Sequence, residues 1–118
     1  MVNINELTKK VTKFRDERDW KQFHNPKDMA ISLALEAAEV LEHFQWKNEK
    51  EMEKYVKTNK DEIADELADV LYWVLLMSHD LDINISMALP KKLIETAKRY
   101  PVEKAKGRAK KYTELEKI

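Results

Sequence analysis

Leu67-Ala68-Asp69-Val70-Leu71-Tyr72-Trp73-Val74-Leu75-Leu76-Met77 is apolar on nearly every side and holds a single charge, Asp69. A helix with so little polar surface belongs at the centre of a helical bundle. Its surroundings extend it: Asn59 with Glu62 is a capping-box pattern, and the helix is expected from about Lys60 to His79. Ile63, Leu67, Val70, Val74 and Met77 form its apolar stripe. Glu62, Glu66, Asp69 and Trp73 recur at i, i+4, i+7 and i+11 along one flank. Carboxylates therefore run beside the most apolar surface in the chain.

An earlier segment repeats the arrangement. Asn25-Pro26 reads as an N-cap followed by Pro at the first helical position, opening a helix to about Trp46. Met29, Leu33, Ala37, Val40 and Phe44 fall within about 80° of arc at roughly 100° per residue. Glu36 lies about 20° outside that arc, Glu39 sits at its border, and Glu42 points away. Each of the two helices thus carries an i, i+3 acidic pair against an apolar face: Glu36/Glu39 and Glu66/Asp69.

Unpartnered buried carboxylates are costly, and like charges one turn apart repel. If the two faces pack together, four negative charges share a small volume. A divalent cation is the simplest neutraliser, and a donor set of hard oxygens favours Mg²⁺ or Mn²⁺ over Zn²⁺. A di-iron centre is disfavoured, because it wants a Glu-x-x-His pair, whereas His43 follows Glu39 by four. Salt bridges to Lys or Arg of neighbouring helices are the other way to neutralise these acids.

The remaining segments are also helical. Asn5 is expected to cap a first helix from about Glu6 to Trp20, with Leu7, Val11 and Phe14 as its apolar line. Lys21 to His24 is a short connection. Asn48 with Glu51 forms a capping box for a helix of about Glu49 to Lys57. Leu81 to Asn84 reads as a turn. Ser86 is the expected cap of a helix to about Arg99, with Pro90 in or near its first turn, and Tyr100-Pro101 ends it. Residues 102–118 are basic, contain the one Gly, and are expected to form a peripheral tail.

Composition agrees with an all-α chain. There are 118 residues, one Gly, three Pro and no Cys. The length suits a single domain, here a four-helix-bundle-like fold of about five helices. A thiol nucleophile, a disulfide and a thiolate metal site are excluded. No apolar run matches a bilayer span and the N-terminus lacks a signal-peptide pattern, so the expectation is a cytoplasmic protein with no membrane partner. Net charge is zero, but residues 1–90 hold 12 Lys/Arg against 18 Asp/Glu, and residues 91–118 hold 10 against 4. An acidic body and a basic tail suit a cation and an anion respectively; solvated helix faces are the plainer account.

Glu36-x-x-Glu39, then 26 residues, then Glu66-x-x-Asp69 resembles the signature of MazG-like nucleotide pyrophosphohydrolases, in the all-α NTP pyrophosphatase superfamily. The likeness is wider than the acids. Phe14-x-x-Glu17-Arg18-Asp19-Trp20-x-Gln22-Phe23-His24-x-Pro26 is similar to the segment before the first acidic pair in the dCTP-pyrophosphatase-like branch. Phe44-Gln45-Trp46 closes the second helix as it does there. Lys92 through Arg99-Tyr100-Pro101 and Lys104-Ala105-Lys106-Gly107 resemble the C-terminal part of short prokaryotic members. Two positions depart: Thr96 stands where relatives often have Asn, and Val11 where animal members carry His, and both bear on base and sugar preference.

The resemblance implies a bundle that assembles as a homodimer or homotetramer. It implies Mg²⁺ on Glu36, Glu39, Glu66 and Asp69, which are also the expected catalytic residues. The reaction it implies is attack by water on the α-phosphate of a nucleoside triphosphate, releasing pyrophosphate, in the service of nucleotide-pool cleansing. Glu39 is the expected general base. Trp20 and Trp46 match positions associated with nucleotide binding, and Trp73 stands where relatives often have Tyr. His24 is expected at the nucleotide, and Lys92, Arg99 and Tyr100 at the triphosphate. The competing reading is a non-catalytic helical module that binds nucleic acid or a protein through its basic tail. Nucleic acid is disfavoured, because the tail lacks interleaved aromatics and no helix-turn-helix pattern is present. A third reading is a phosphohydrolase that releases orthophosphate.

Overall fold

The computed structural model describes residues 2–118. Every regular element in them is helical: α1 (Ile4–Glu17), a 3₁₀ turn (Lys21–Phe23), α2 (Pro26–Glu42), α3 (Glu49–Thr58), α4 (Lys60–Asp80), α5 (Ile85–Arg99), α6 (Val102–Ala105) and α7 (Tyr112–Leu115). The chain separates into two compact units, one ending at Ile83 and one spanning Asn84–Ile118.

Local chemistry sets most of the helix ends. Asn25 Oδ1 accepts from the Asp28 N–H at 2.9 Å, with Pro26 opening α2 as expected. Asn48 and Glu51 form the reciprocal capping box of α3. The cap of α1 is Asn3, whose Oδ1 accepts from the Glu6 N–H at 2.9 Å; Asn5, the expected cap, lies inside the helix. Asn59 does not cap the α4 backbone and instead donates from Nδ2 to Glu62 Oε2 at 2.5 Å. Asn59 also ends α3, with φ −120° and ψ 27° rather than the extended backbone of Asn25 and Asn48. Asn84 occupies the cap position of α5, and Ser86 Oγ donates to its Oδ1 at 2.7 Å.

Two helices stop earlier than their apolar periodicity suggests. α1 ends at Glu17 because Asp19 takes a left-handed φ of 55°. α2 ends at Glu42, and the chain turns through His43–Trp46, where the Phe44 and Gln45 N–H groups both donate to Leu41 O at 2.9 Å.

In the first unit α4 is the central helix. It packs against α1, α2 and α3, most extensively against α2. Leu75, Leu76 and Ser78 of α4 are buried, together with Met29 of α2 and Arg15 of α1. The inner face of α4 keeps Ile63, Val70, Val74 and Met77 of the expected stripe and departs from it at one position. Leu67, placed in the apolar stripe by its spacing, is 53% exposed, whereas Glu66 is half-buried in line with Ile63, Val70 and Trp73. At this level of α4 it is Glu66 rather than Leu67 that is drawn inward. The packing of α2 on α4 selects the acid.

In the second unit, the Tyr112 N–H donates to the Tyr100 hydroxyl at 3.2 Å and the two rings meet edge-on at 6.0 Å. Leu115 is 1% exposed, as deeply buried as the residues at the centre of the first unit. Residues 102–118 are thus folded, with a buried apolar anchor near their end.

Candidate active site

Glu36 and Glu39 stand one turn apart on α2, and Glu66 and Asp69 one turn apart on α4. The packing of these helices brings the two pairs together. One carboxylate oxygen from each of the four residues lies within 4.8 Å of the others. Glu36 and Glu66 are half-buried and Glu39 and Asp69 exposed, so the cluster has an inner and an open side.

The electrostatics are those of unneutralised crowding. Among the described residues of the unit ending at Ile83, no Lys or Arg pairs with any of the four acids; the ion pairs there are Lys13–Glu17, Arg15–Asp16 and Arg15–Asp80. Salt bridging therefore does not account for the cluster. Glu36 Oε2 and Glu66 Oε2 are buried and have no hydrogen-bond partner. The Glu66 carboxyl is pushed up to about 7, first by its hydrogen bond with the Glu39 carboxyl, then by burial and by the charges of Glu39, Asp69 and Glu36. Burial is the leading cause of the rise at Glu36, followed by its hydrogen bond with Glu39 and the charges of Glu39 and Asp69. An all-oxygen donor set with two orphaned buried oxygens fits a hard divalent cation, which would partner both and remove the repulsion.

A cavity of about 330 Å³ adjoins Asp69, lined by Leu7 and Val11 of α1 and by Ala68, Leu71, Tyr72 and Leu75 of α4. It is an apolar chamber with one acid of the cluster in its wall. Leu7 and Val11 are legible in sequence only as an apolar line; that they line a chamber beside Asp69 depends on where α1 crosses α4. Tyr72 was not among the expected site residues. Its ring meets Phe14 at 6.3 Å and Trp73 at 5.3 Å, both edge-on.

The aromatic residues divide. Trp46, just past the end of α2, is 86% exposed. Trp20 is 42% exposed and sits edge-on to Phe14 at 5.8 Å. Trp73 is half-buried and takes the edge of His24 at 5.1 Å. Burial, and next the Arg15 charge, lower the His24 pKa, and its buried Nδ1 has no partner. His24 lines a second cavity, of about 320 Å³, with Lys21, Pro26, Met29, His79, Asp80 and Leu81.

Lys92, Arg99 and Tyr100 belong to the second unit, and each has a local partner. Lys92 lies 3.8 Å from Glu95, the Arg99 guanidinium lies 5.0 Å from the centre of the Tyr112 ring, and the Tyr100 hydroxyl accepts from the Tyr112 N–H.

Residues 31–115 match the MazG-like family. The chain is similar to dCTP pyrophosphatase 1 of Mus musculus, at 32% identity over 114 residues covering 95% of this chain and 67% of that protein. Its similarity to dCTP pyrophosphatase 1 of Homo sapiens is 30% identity over the same shares of the two chains. Among solved structures it resembles a pyrophosphatase from Archaeoglobus fulgidus DSM 4304, with a TM-score of 0.80 and 34% identity over 86% of this chain and 94% of the other.

Proposed function

This chain belongs to the MazG-like family and is a nucleotide pyrophosphohydrolase, and from that premise we propose that it hydrolyses nucleoside or deoxynucleoside triphosphates to monophosphate and pyrophosphate with Mg²⁺, Mn²⁺ being an alternative. The observation that carries the reading is the convergence of four carboxylates, with no Lys or Arg paired to them among the described residues of their own unit.

Glu36, Glu39, Glu66 and Asp69 would hold the metal. When bound, such an ion polarises phosphate oxygens and makes water a stronger acid. The chain's own groups supply the rest. Glu39 stands on the open side of the cluster beside Glu66, where its carboxylate can take a proton from attacking water. Glu36 and Glu66, on the inner side, give the site its fixed depth. Asp69 joins the cluster to the apolar chamber of Leu7, Val11 and Tyr72, which has room for a nucleoside beside the acids. Trp20 and Trp46 offer faces for the base, and His24 and Trp73 are further proposed contacts. Lys92, Arg99 and Tyr100 are the groups proposed for the outer phosphates.

The assembly is proposed to be a homodimer or homotetramer. On α2, Ile31, Leu35 and Leu41 are 46%, 61% and 57% exposed, and on α4 Leu71 is 40% exposed. Large apolar side chains exposed together on the two helices that carry the acids suit contact with a second copy. Among the described residues no helix is long and apolar enough to cross a membrane. The proposed role is cleansing of the cytoplasmic nucleotide pool.

The test is a screen of canonical and modified NTPs and dNTPs, with Mg²⁺ and again with EDTA, resolving pyrophosphate from orthophosphate. Pyrophosphate and monophosphate formed only with metal support the reading. Full activity in EDTA, or orthophosphate as the product, refutes it.

A further inference from the structure

Arg15 has no exposed surface. Its Nη1 donates to Asp80 Oδ2 on α4 at 2.6 Å, and its Nε to Asp16 Oδ1 at 3.2 Å. A buried ion pair is a weak source of stability, because desolvation offsets much of the attraction and apolar side chains would fill the same space as well. What this pair holds in place is more telling than what it contributes to folding.

It fastens the end of α1 to the end of α4. At that point the backbone carbonyl of Arg15 accepts from the Arg18 N–H at 3.1 Å and from the Trp20 N–H at 3.2 Å. Asp19, between them, takes φ 55°, in the left-handed region that Asp tolerates better than most residues. The chain doubles back, sets Trp20 against Phe14, and enters the 3₁₀ turn. The His24 N–H closes that turn on Lys21 O at 3.0 Å. Asp80, the other half of the pair, lines the same cavity as Lys21 and His24. One end of the Trp20–His24 segment is thus bonded to the backbone carbonyl of Arg15, and the other shares a cavity with Asp80.

We propose that the buried Arg15–Asp80 ion pair is the positioning device of the Trp20–His24 segment and thereby sets how tightly the nucleotide is held. This rests on the reading of Trp20 and His24 as nucleotide contacts. Neither Arg15 nor Asp80 need touch the reacting atoms, so their loss should appear in binding rather than in the chemical step.

The experiment compares the native chain with Arg15→Lys and with the double variant Arg15→Met/Asp80→Leu. The double variant removes both charges together and leaves no uncompensated ion in the interior; circular dichroism confirms that it folds. Hydrogen exchange of the amides from Arg18 to His24 is read without substrate, and KM and kcat are read with it. The expected result is faster exchange at the Trp20 amide, KM raised by about tenfold, and kcat within about twofold of native, with Arg15→Lys intermediate. Unchanged exchange in the double variant would overturn the positioning role. Faster exchange with unchanged KM would overturn the link to nucleotide binding, and Trp20→Ala in the native background then locates the fault. If that variant raises KM, Trp20 contacts the nucleotide and the ion pair is not what places it. If it does not, the assignment of Trp20 itself has failed.

Discussion

Glu66 on α4 and Glu39 on α2 bring carboxylate oxygens within 4.8 Å of each other across the packed helices. With Glu36 and Asp69 beside them, the two helices are held together by their apolar residues against the repulsion of their acids. That opposition of packing and charge governs how the site responds to substitution, pH and ligand.

Removing one of these charges should help the metal-free fold and harm the enzyme. Glu66→Gln keeps the shape and hydrogen-bonding capacity of the side chain while taking away its share of the repulsion. Thermal melting in EDTA should be equal to or above that of the native chain, while kcat falls by about 10²-fold or more, the scale seen when a charge-stabilising group is lost from an active site. A marked drop in metal-free melting temperature would show that Glu66 is engaged in an attraction that the repulsive site lacks.

The raised pKa of Glu66 fixes the sign of a pH effect. The folded state binds this proton more tightly than the unfolded chain, whose carboxylate titrates near 4.5. The resulting stabilisation is fully present below that value and is lost as pH rises to about 7. The metal-free protein should therefore lose stability across that window. Mg²⁺ affinity should change in the opposite sense, weakening as pH falls below about 7, because the proton competes for the same oxygens. Denaturant melts in EDTA and calorimetric Mg²⁺ titrations at several pH values check both; metal affinity independent of pH over this range would contradict the assignment.

Trp46 is almost fully solvated, so its replacement by Ala should leave the fold intact. If it stacks on the base, Trp46→Ala should weaken binding of a non-hydrolysable nucleotide by about 1–3 kcal/mol, while the products remain monophosphate and pyrophosphate. The native protein's Trp fluorescence should change when nucleotide and Mg²⁺ are added together. Equal affinity in the Trp46→Ala and native proteins would place the base elsewhere.

The position of bond cleavage separates this chemistry from other phosphohydrolases. Attack at the α-phosphorus puts solvent oxygen into the monophosphate, so in ¹⁸O-labelled water the label should appear there and be absent from pyrophosphate. Label in pyrophosphate would mean attack at the β-phosphorus. Orthophosphate together with a nucleoside diphosphate would mean attack at the γ-phosphorus.

Much of this architecture is local and therefore legible in the chain itself. Asn25-Pro26 and Asn48/Glu51 start their helices through contacts spanning three residues, and the i, i+3 spacing puts each acidic pair one turn apart whatever the fold. The apolar run of Leu67–Met77 required a central helix, and α4 is central. The MazG-like resemblance likewise rested on motifs readable along the chain, and the family match agrees with it.

The tertiary structure decided what depends on helix rotation and crossing. Hydropathy favours Leu67 as the inner residue, but the α2–α4 interface turns Glu66 inward and leaves Leu67 53% exposed. An apolar count along one helix cannot register a partner helix that brings two more carboxylates to the same place. The pairing of Arg15 with Asp80 joins residues 65 apart in sequence, and neither shows any local sign of it. The chamber beside Asp69 exists only because α1 crosses α4 where Leu7 and Val11 can line it. Capping and periodicity are energies of a few neighbouring residues, so sequence alone determined the helices and their acids. Which faces meet, and how far four like charges are forced together, is settled by the packing free energy of the whole bundle, and that exists only once the chain has folded.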